Sequence, residues 1–112
     1  MYITIIYMHD FNFDNLDGFD WDKGNTSKNQ DKHDVSIGET EEVFFNDPFF
    51  VFIDKKHSES ESRFFLFGET NEGRTLFIVF TIRKNKVRVI SSRDMHRKER
   101  GEYERLKANT QV

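Results

Sequence analysis

The alternation of apolar and polar residues predicts a block of β-strands in the second half of the chain. Residues 49–54 form a continuous apolar run, and residues 63–70, 74–82 and 86–92 are three further segments rich in branched and aromatic side chains. The connectors NEG and KN between the last three segments are short enough for hairpins. We therefore expect an antiparallel sheet of about four strands.

Helices are predicted on both sides of this block. Residues 25–33 suit a short helix, and Ser36, followed three positions later by Glu39, has the spacing of a capping box that opens a second one. Asp94 is a suitable N-cap for a C-terminal helix. The inner stripe of that helix, at helical spacing, comprises Met95, Glu99, Tyr103 and Leu106. Gly101 lies inside it and costs about 1 kcal/mol relative to alanine, so packing must hold the helix. The predicted fold class is α+β, with two N-terminal helices, the sheet and a C-terminal helix.

The length of 112 residues limits the chain to one small core, to which 13 phenylalanines contribute much of the apolar surface. Residues 2–8 predict a strand, but polar and turn-rich residues follow, so we expect residues 1–18 to be a loosely attached arm or strand. Residues 19–107 are then the domain, and residues 108–112 a tail. The run at 2–8 is too short to span a membrane and lacks the basic flank of a signal peptide, which predicts a soluble, cytoplasmic protein without membrane contact.

The charge is distributed unevenly along the chain. Residues 1–62 carry five Lys/Arg and fourteen Asp/Glu, a net charge of −9, whereas residues 63–112 carry twelve and six, a net charge of +6. A local basic stripe of this kind is what a nucleic-acid binder with an acidic pI requires, although basic residues at the end of a helix also simply favour its dipole. The chain has no cysteine, and its four histidines lie at least 24 residues apart, so we predict no metal site.

Glu99 is unusual because it falls within the apolar stripe of the last helix. A partly desolvated glutamate has a raised pKa unless an arginine pairs with it. One interpretation is a salt bridge to Arg63 or Arg93 of the sheet that fixes the register of the helix. The other is that Glu99 and an arginine flank a scissile phosphate. Both interpretations place Glu99 beside arginine.

Four segments together resemble one known family. They are FDWDKGNTSKNQDKHDVS, EEVFFNDP, HSESESRFFLFG and GRTLFIVFTIRKNKVRVISSRDMHRKERGEYE, in order from Phe19 to about Glu104. They are similar to the BrnT family of bacterial toxins. The resemblance implies the toxin of a type II toxin–antitoxin pair, with a RelE-like fold, that cleaves RNA and arrests translation. It also implies a partner, a BrnA-type antitoxin that neutralises the toxin and binds operator DNA, so that the two form a hetero-oligomer on DNA.

The chain departs from the family pattern at three positions. Asp34 stands where glycine usually follows the Lys-His pair, and aspartate can still adopt a left-handed conformation at a helix end. Ser92 replaces the usual small residue of the Ile-Ser-Ala-Arg string, and His96 replaces a more familiar Asn, Ser or Thr. None of these changes removes a charged residue of the motifs.

Metal-independent RNA cleavage needs a base for the 2′-hydroxyl, cations for the phosphate and an acid for the leaving oxygen. We predict a catalytic group that comprises His33, Glu99, Tyr103 and Arg93. The predicted phosphate-binding group comprises Lys32, Arg63, Arg97 and Arg100. We expect no cofactor.

Each of these residues also has a structural interpretation. His33 would cap a helix C-terminus, Tyr103 would belong to the core, and the arginines would form a solvated face. Trp21 is interpreted as a packing anchor rather than as a platform for a base. Three functional classes therefore stay open: a ribonuclease toxin, an inactive module that binds the antitoxin as a co-repressor, and a small structural domain.

Overall fold

The computed structural model describes residues 3–6, 16–26, 33–54 and 61–110, with only the backbone at 3–6 and at Thr110. In chain order its regular elements are β1 (Ile3–Ile6), α1 (Ile37–Val43), β2 (Phe50–Asp54), β3 (Arg63–Glu69), β4 (Thr75–Arg83), β5 (Lys86–Asp94) and α2 (Arg97–Thr110). Backbone at residues 23–26 and at His33 is also helical. The α+β class is thus confirmed, whereas the RelE-like label stays a prediction.

The five strands form one antiparallel sheet in the order β1-β2-β3-β4-β5, so each strand pairs with its neighbour in sequence. The four strands predicted for the domain are confirmed, and β1 adds a fifth at the β2 edge. The β4–β5 hairpin turns at Lys84 and Asn85, which have φ values of 52° and 64°. Two such residues are what a tight turn with the right twist requires. At the opposite edge, the Val87 amide donates to the Gly18 carbonyl at 2.9 Å, so residues before the first helical segment cover β5.

The capping box predicted for α1 is confirmed. The Ser36 hydroxyl accepts from the Glu39 amide, and the Glu39 carboxylate accepts from the Ser36 amide, both at 3.0 Å. Asp34 has a φ of 53°, the left-handed conformation expected after the preceding helical residue His33. The helix predicted at 25–33 lies partly outside the described residues, and so does Lys32.

Side chains pack on both faces of the sheet. The first face, which α1 covers, has a mainly aliphatic core to which three phenylalanines also belong, and its fully buried members include Val43, Val51, Leu66, Leu76 and Ile78. The helix face, which α2 covers, is mainly aromatic and contains Phe50, Phe52, Phe65, Phe67, Met95 and Tyr103. Gly68 allows α1 to approach β3 closely, because a Cβ at this position would lie 2.5 Å from Cγ1 of Val43.

The last helix begins later than the sequence indicated. Asp94 is not its N-cap, because Asp94 still pairs with Leu76 as the last residue of β5. Helix α2 begins at Arg97. The Glu99 carboxylate accepts the His96 amide hydrogen at 2.7 Å, which satisfies one of the donors left free at the start of a helix. The N-terminus of α2 is therefore closed by Glu99 rather than by Asp94.

Candidate functional site

The residues of interest gather where β5 runs into α2. Arg93 and Asp94 end the strand, Met95 and His96 form the connection, and Arg97 begins the helix. Met95 is 2% exposed and belongs to the core beneath the helix, so the connection is anchored. This anchoring fixes where the charged side chains on either side of it can reach.

Arg93 and Glu99 form a bidentate ion pair at this junction. Nη1 and Nη2 of Arg93 donate to Oε1 and Oε2 of Glu99 at 2.8 and 2.9 Å, and Nη1 also donates to the Asp94 carbonyl at 3.0 Å. Both side chains are about one-fifth exposed. The arginine partner predicted for Glu99 is therefore Arg93. The pair joins the sheet to the first turn of α2, as the structural interpretation required.

The charge of Glu99 follows from its surroundings. Burial by itself raises the pKa of this carboxyl, but the Arg93 guanidinium and the His96 amide together hold the pKa below its usual value. Glu99 is therefore a carboxylate at neutral pH. It can accept a proton or orient a cation, but it has no proton to donate.

A second arginine network, which sequence reasoning missed, lies beside this pair. Arg74 donates from Nε and Nη2 to the Asp94 carboxylate at 2.7 and 3.1 Å, and from Nη1 to Glu39 at 3.0 Å. The same guanidinium donates to the carbonyls of Asp34 and His33 at 3.0 and 3.4 Å. Arg74 thus ties β4 and the end of β5 to the chain around α1. A sequence signal existed, since an arginine directly after the turn glycine Gly73 was part of the quoted motif.

Asp94 is the acidic centre of this network. Hydrogen bonds from Arg74 lower the pKa of Asp94, and the positive charges of Arg74 and Arg100 lower it further. Nη2 of Arg74 contacts both the His33 carbonyl and the Asp94 carboxylate, so the fold brings the backbone at His33 near Asp94, more than 60 positions away in sequence.

Two cations at the start of α2 differ from Arg74 and Arg93 in how they are bound. Arg97 is exposed and forms no ion pair or hydrogen bond within the part of the chain that the structure describes. Arg100 is also exposed, and its Nη1 donates to the Met95 carbonyl at 2.9 Å. Both guanidinium groups keep donors that face solvent. They are better placed than Arg93 to meet an incoming anion.

Tyr103 lies one turn further along α2 and faces another cleft. Its hydroxyl is 3.0 Å from the Glu69 carboxylate, to which Lys107 also donates at 2.9 Å. Burial first, and the hydrogen bond to Glu69 second, raise the pKa of Tyr103 above its usual value. The phenol therefore stays protonated at neutral pH. Tyr103 lies one helical turn from Glu99, but its hydroxyl contacts Glu69 and takes no part in the Arg93–Glu99 pair.

The structure also separates Arg63 from this junction. Arg63 pairs with Thr81 and Arg93 with Phe77, four residues apart on β4, which is roughly 13 Å along a strand.

Trp21 takes the packing role that was predicted, because it packs against the first-face core and its indole N–H donates to Glu41 at 2.8 Å.

Among the described residues no three or more histidine, aspartate and glutamate side chains form a group that could hold a metal ion. None of the described helices is both long and apolar enough to cross a membrane.

Comparison with known protein families gives one result that covers most of the chain. The model of the family described as "Ribonuclease toxin, BrnT, of type II toxin-antitoxin system" matches residues 21–99. No curated protein matches the chain. The matched segment runs from Trp21 to Glu99 and so includes the Arg74 network, the Arg93–Glu99 pair and His33. The chain belongs to the BrnT family of ribonuclease toxins of type II toxin–antitoxin systems.

Proposed function

We propose that this protein is a metal-independent endoribonuclease that arrests translation by cutting RNA and that a BrnA-type antitoxin neutralises it. The observation that supports this proposal is the junction of β5 and α2. There, the solvent-facing Arg97 and Arg100 lie in the first turn of α2 with the ionised Glu99, directly after the ionised Asp94, which Arg74 links to the His33 carbonyl. Cations for a phosphate and groups that can move protons thus occur on one small surface.

The proposed reaction uses the 2′-hydroxyl of the RNA as the nucleophile. A base removes its proton, the oxygen attacks phosphorus, the bond to O5′ breaks, and an acid protonates the leaving oxygen. Arg97 and Arg100 stabilise the charge that develops on the phosphate. His33 is the proposed proton carrier, since an imidazole nitrogen can accept a proton and another can donate one.

The remaining candidates act around this centre. Glu99 is ionised and can serve as the base or orient its partner Arg93. Tyr103 is proposed as an orienting group only, because its raised pKa keeps it protonated and its hydroxyl is bound to Glu69. Lys32 and Arg63 remain proposed contacts for phosphates of the RNA that lie further from the cleaved bond.

Cleavage of a labelled RNA in excess EDTA tests the proposal. The parent chain should cut, and Arg100→Ala should cut at least tenfold more slowly, because one charge-assisted contact is worth ~1.5–3 kcal/mol. His33→Ala should lose activity to a similar extent if the imidazole carries a proton, and should only lower stability if it caps the helix. Arg83→Ala is the matched control, since Arg83 is exposed and lies at the opposite end of the sheet beside the β4–β5 turn. Activity that disappears in EDTA and returns with Mg²⁺ or Zn²⁺ would contradict metal independence.

The antitoxin is proposed to cover the same basic surface. An acidic segment, or the C-terminal end of a partner helix, would be drawn to the cations of Arg97, Lys98 and Arg100. Affinity should therefore fall with added salt and with Arg97→Glu or Arg100→Glu. An affinity that changes neither with added salt nor with charge reversal would indicate an apolar contact instead.

A second candidate function is an inactive module that binds the antitoxin without cutting RNA. It is favoured by the engagement of both Glu99 and Tyr103 in contacts within the protein. Expression without an antitoxin distinguishes the two functions, because an active toxin should stop growth and an inactive module should express freely.

A further inference from the structure

Between α2 and the sheet, the described residues leave an apolar groove of about 410 Å³. Its floor is aromatic and consists of Phe65, Phe67 and Phe77, and its charged lining comprises two cations and two carboxylates, Arg93, Lys98, Glu99 and Glu102. The volume is within the range of sites for small molecules, roughly 300–1,000 Å³. The groove meets the proposed phosphate-binding surface at Lys98, which directly follows Arg97 in the first turn of α2.

Arg93 is held rigidly at the edge of this groove. Its guanidinium carbon lies over the Phe77 ring, 4.3 Å from the centroid. Three hydrogen bonds, two to Glu99 and one to the Asp94 carbonyl, fix the edge of the same group. An arginine has five N–H donors in all. Most of the donors of Arg93 are thus used within the protein, and the feature it offers to a ligand is the flat face of its guanidinium.

We propose that this groove binds one nucleobase of the RNA, stacked on Arg93 and the surrounding phenylalanine rings. The inference rests on the proposed function, because it assigns to Arg93 the recognition of a base while Arg97 and Arg100 hold the neighbouring phosphates. It gives the aromatic floor a role beyond packing. It also explains how a strand could be held in one register at a surface otherwise made of cations.

The charges around the groove favour a base over other occupants. An aliphatic side chain placed on Arg93 would desolvate its cation without replacing the lost interactions, whereas an aromatic base stacks on a guanidinium. The two cations and two carboxylates that line the groove balance each other, so the groove suits an uncharged base rather than an anion. The phosphates attached to that base are anionic and are drawn outward, toward Lys98 and Arg97. A nucleotide thus matches the apolar floor and the cations at the edge of the groove.

Binding of an uncleavable 2′-O-methyl oligonucleotide tests the inference apart from catalysis. In a set of such strands, each position in turn is made abasic, and affinity for the parent chain is measured by fluorescence anisotropy. One abasic position should weaken binding by roughly 5- to 100-fold, the range typical of the loss of a base stacked on an aromatic group. If no single position weakens binding, or if the parent binds no strand, the inference is overturned.

Phe77→Leu locates the effect in the groove. This variant retains an apolar side chain but removes the ring under Arg93, so it should bind the intact strand at least fivefold more weakly and lose the penalty at the sensitive abasic position. Phe45→Leu is the control, because Phe45 is 73% exposed and lines a different cleft. An abasic penalty that persists in Phe77→Leu would overturn the inference. So would a Phe77→Leu variant that binds the strand normally and loses only antitoxin binding, which would assign the groove to the antitoxin.

Failure of the proposed function has a different signature. In that case the parent chain leaves the unmodified RNA intact, whatever the result with abasic strands. Base binding without cleavage would retain the groove as a nucleotide site in an inactive family member. If the chain cleaves RNA but no single abasic position weakens binding, the ribonuclease proposal stands and the proposed base site is wrong.

Discussion

The two faces of the sheet are stabilised by different kinds of contact. On the first face, the side chains of Val43, Leu66, Leu76 and Ile78 are fully buried and apolar. On the helix face, aromatic rings lie under α2, but the helix is also tied to the sheet by polar contacts: the Arg93–Glu99 pair, the Lys107–Glu69 pair and the Tyr103–Glu69 hydrogen bond. We therefore expect the first face to contribute more of the stability. The helix face places charge at fixed positions, and it is there that the candidate site lies.

This difference predicts that stability and activity depend on separate residues. Apolar burial is non-directional and scales with area, so the first face should respond to lost volume. Charged contacts are directional and contribute less net free energy because of their desolvation cost, so the helix face should respond mainly in function.

The largest loss of stability is expected for Leu66→Ala on the first face. Leu66 is 0% exposed, and deletion of a buried leucine side chain typically costs about 2–5 kcal/mol through lost transfer free energy and the cavity left behind. Urea denaturation should show this loss, while RNA cleavage per folded molecule stays near that of the parent. Leu106→Ala on α2, where the residue is half-buried, is the control and should cost less. An equal loss in the two variants would mean that the faces contribute alike.

The second effect concerns the ion pair of the helix face. Arg93→Ala leaves the partly buried Glu99 without its guanidinium partner, so we expect a loss of about 1–2 kcal/mol, between the values for exposed and buried pairs. Arg97→Ala is the matched control and should stay within about 0.5 kcal/mol of the parent. If Arg93→Ala and Arg97→Ala have the same melting temperature, the Arg93–Glu99 pair contributes nothing to stability.

What the sequence could and could not predict follows from how local each feature is. The strands, the α1 capping box and the contact between Glu99 and an arginine arise from neighbouring residues or from one periodic pattern. The Arg74 network joins residues from three separate elements, and the partner of Tyr103 is Glu69, 34 positions away. No local pattern encodes such contacts. The prediction that Asp94 is an N-cap was wrong for a related reason. Aspartate is a favourable N-cap residue, but the pairing of Asp94 with Leu76 and Arg74 depends on the register of a bulged hairpin.

A third effect is the loss of stability in acid. We expect carboxylates that are bound by arginine, lysine or backbone donors to cause most of it. In the folded protein the pKa values of Glu39, Glu69, Asp94 and Glu99 are all lowered by their hydrogen-bonding partners. A carboxyl with a lowered folded pKa adds stability above its unfolded pKa, about 4, and this contribution is lost as the pH falls through the folded value. The free energy of unfolding should therefore be nearly constant from pH 7 to 5 and decline below about pH 4.

Glu99→Gln sharpens this test. The variant has no carboxyl to protonate at position 99, so its stability should decline less steeply in acid than that of the parent, although it starts lower at pH 7. At pH 4 the loss for the parent should be smaller than that caused by Arg93→Ala, because the carboxyls with lowered pKa are still largely ionised. A parent and variant with parallel pH profiles would show that Glu99 is not among the responsible groups.

The smallest effect, and one of opposite sign, is expected at Gly101 in α2. A Cβ at this position would meet nothing within 4 Å, so alanine should raise the free energy of unfolding by about 0.5–1 kcal/mol through its better helix propensity. Gly68→Ala on the first face is the counterpart: its Cβ would lie 2.5 Å from Cγ1 of Val43 and 3.2 Å from Cβ of Phe49, so the same change should destabilise the protein. Thermal unfolding of both variants measures the contrast. If Gly101→Ala gained stability but lost RNA cleavage, α2 would need freedom to move during the reaction. Equal cleavage would show that the junction works as a fixed surface, as the proposed base and phosphate contacts require.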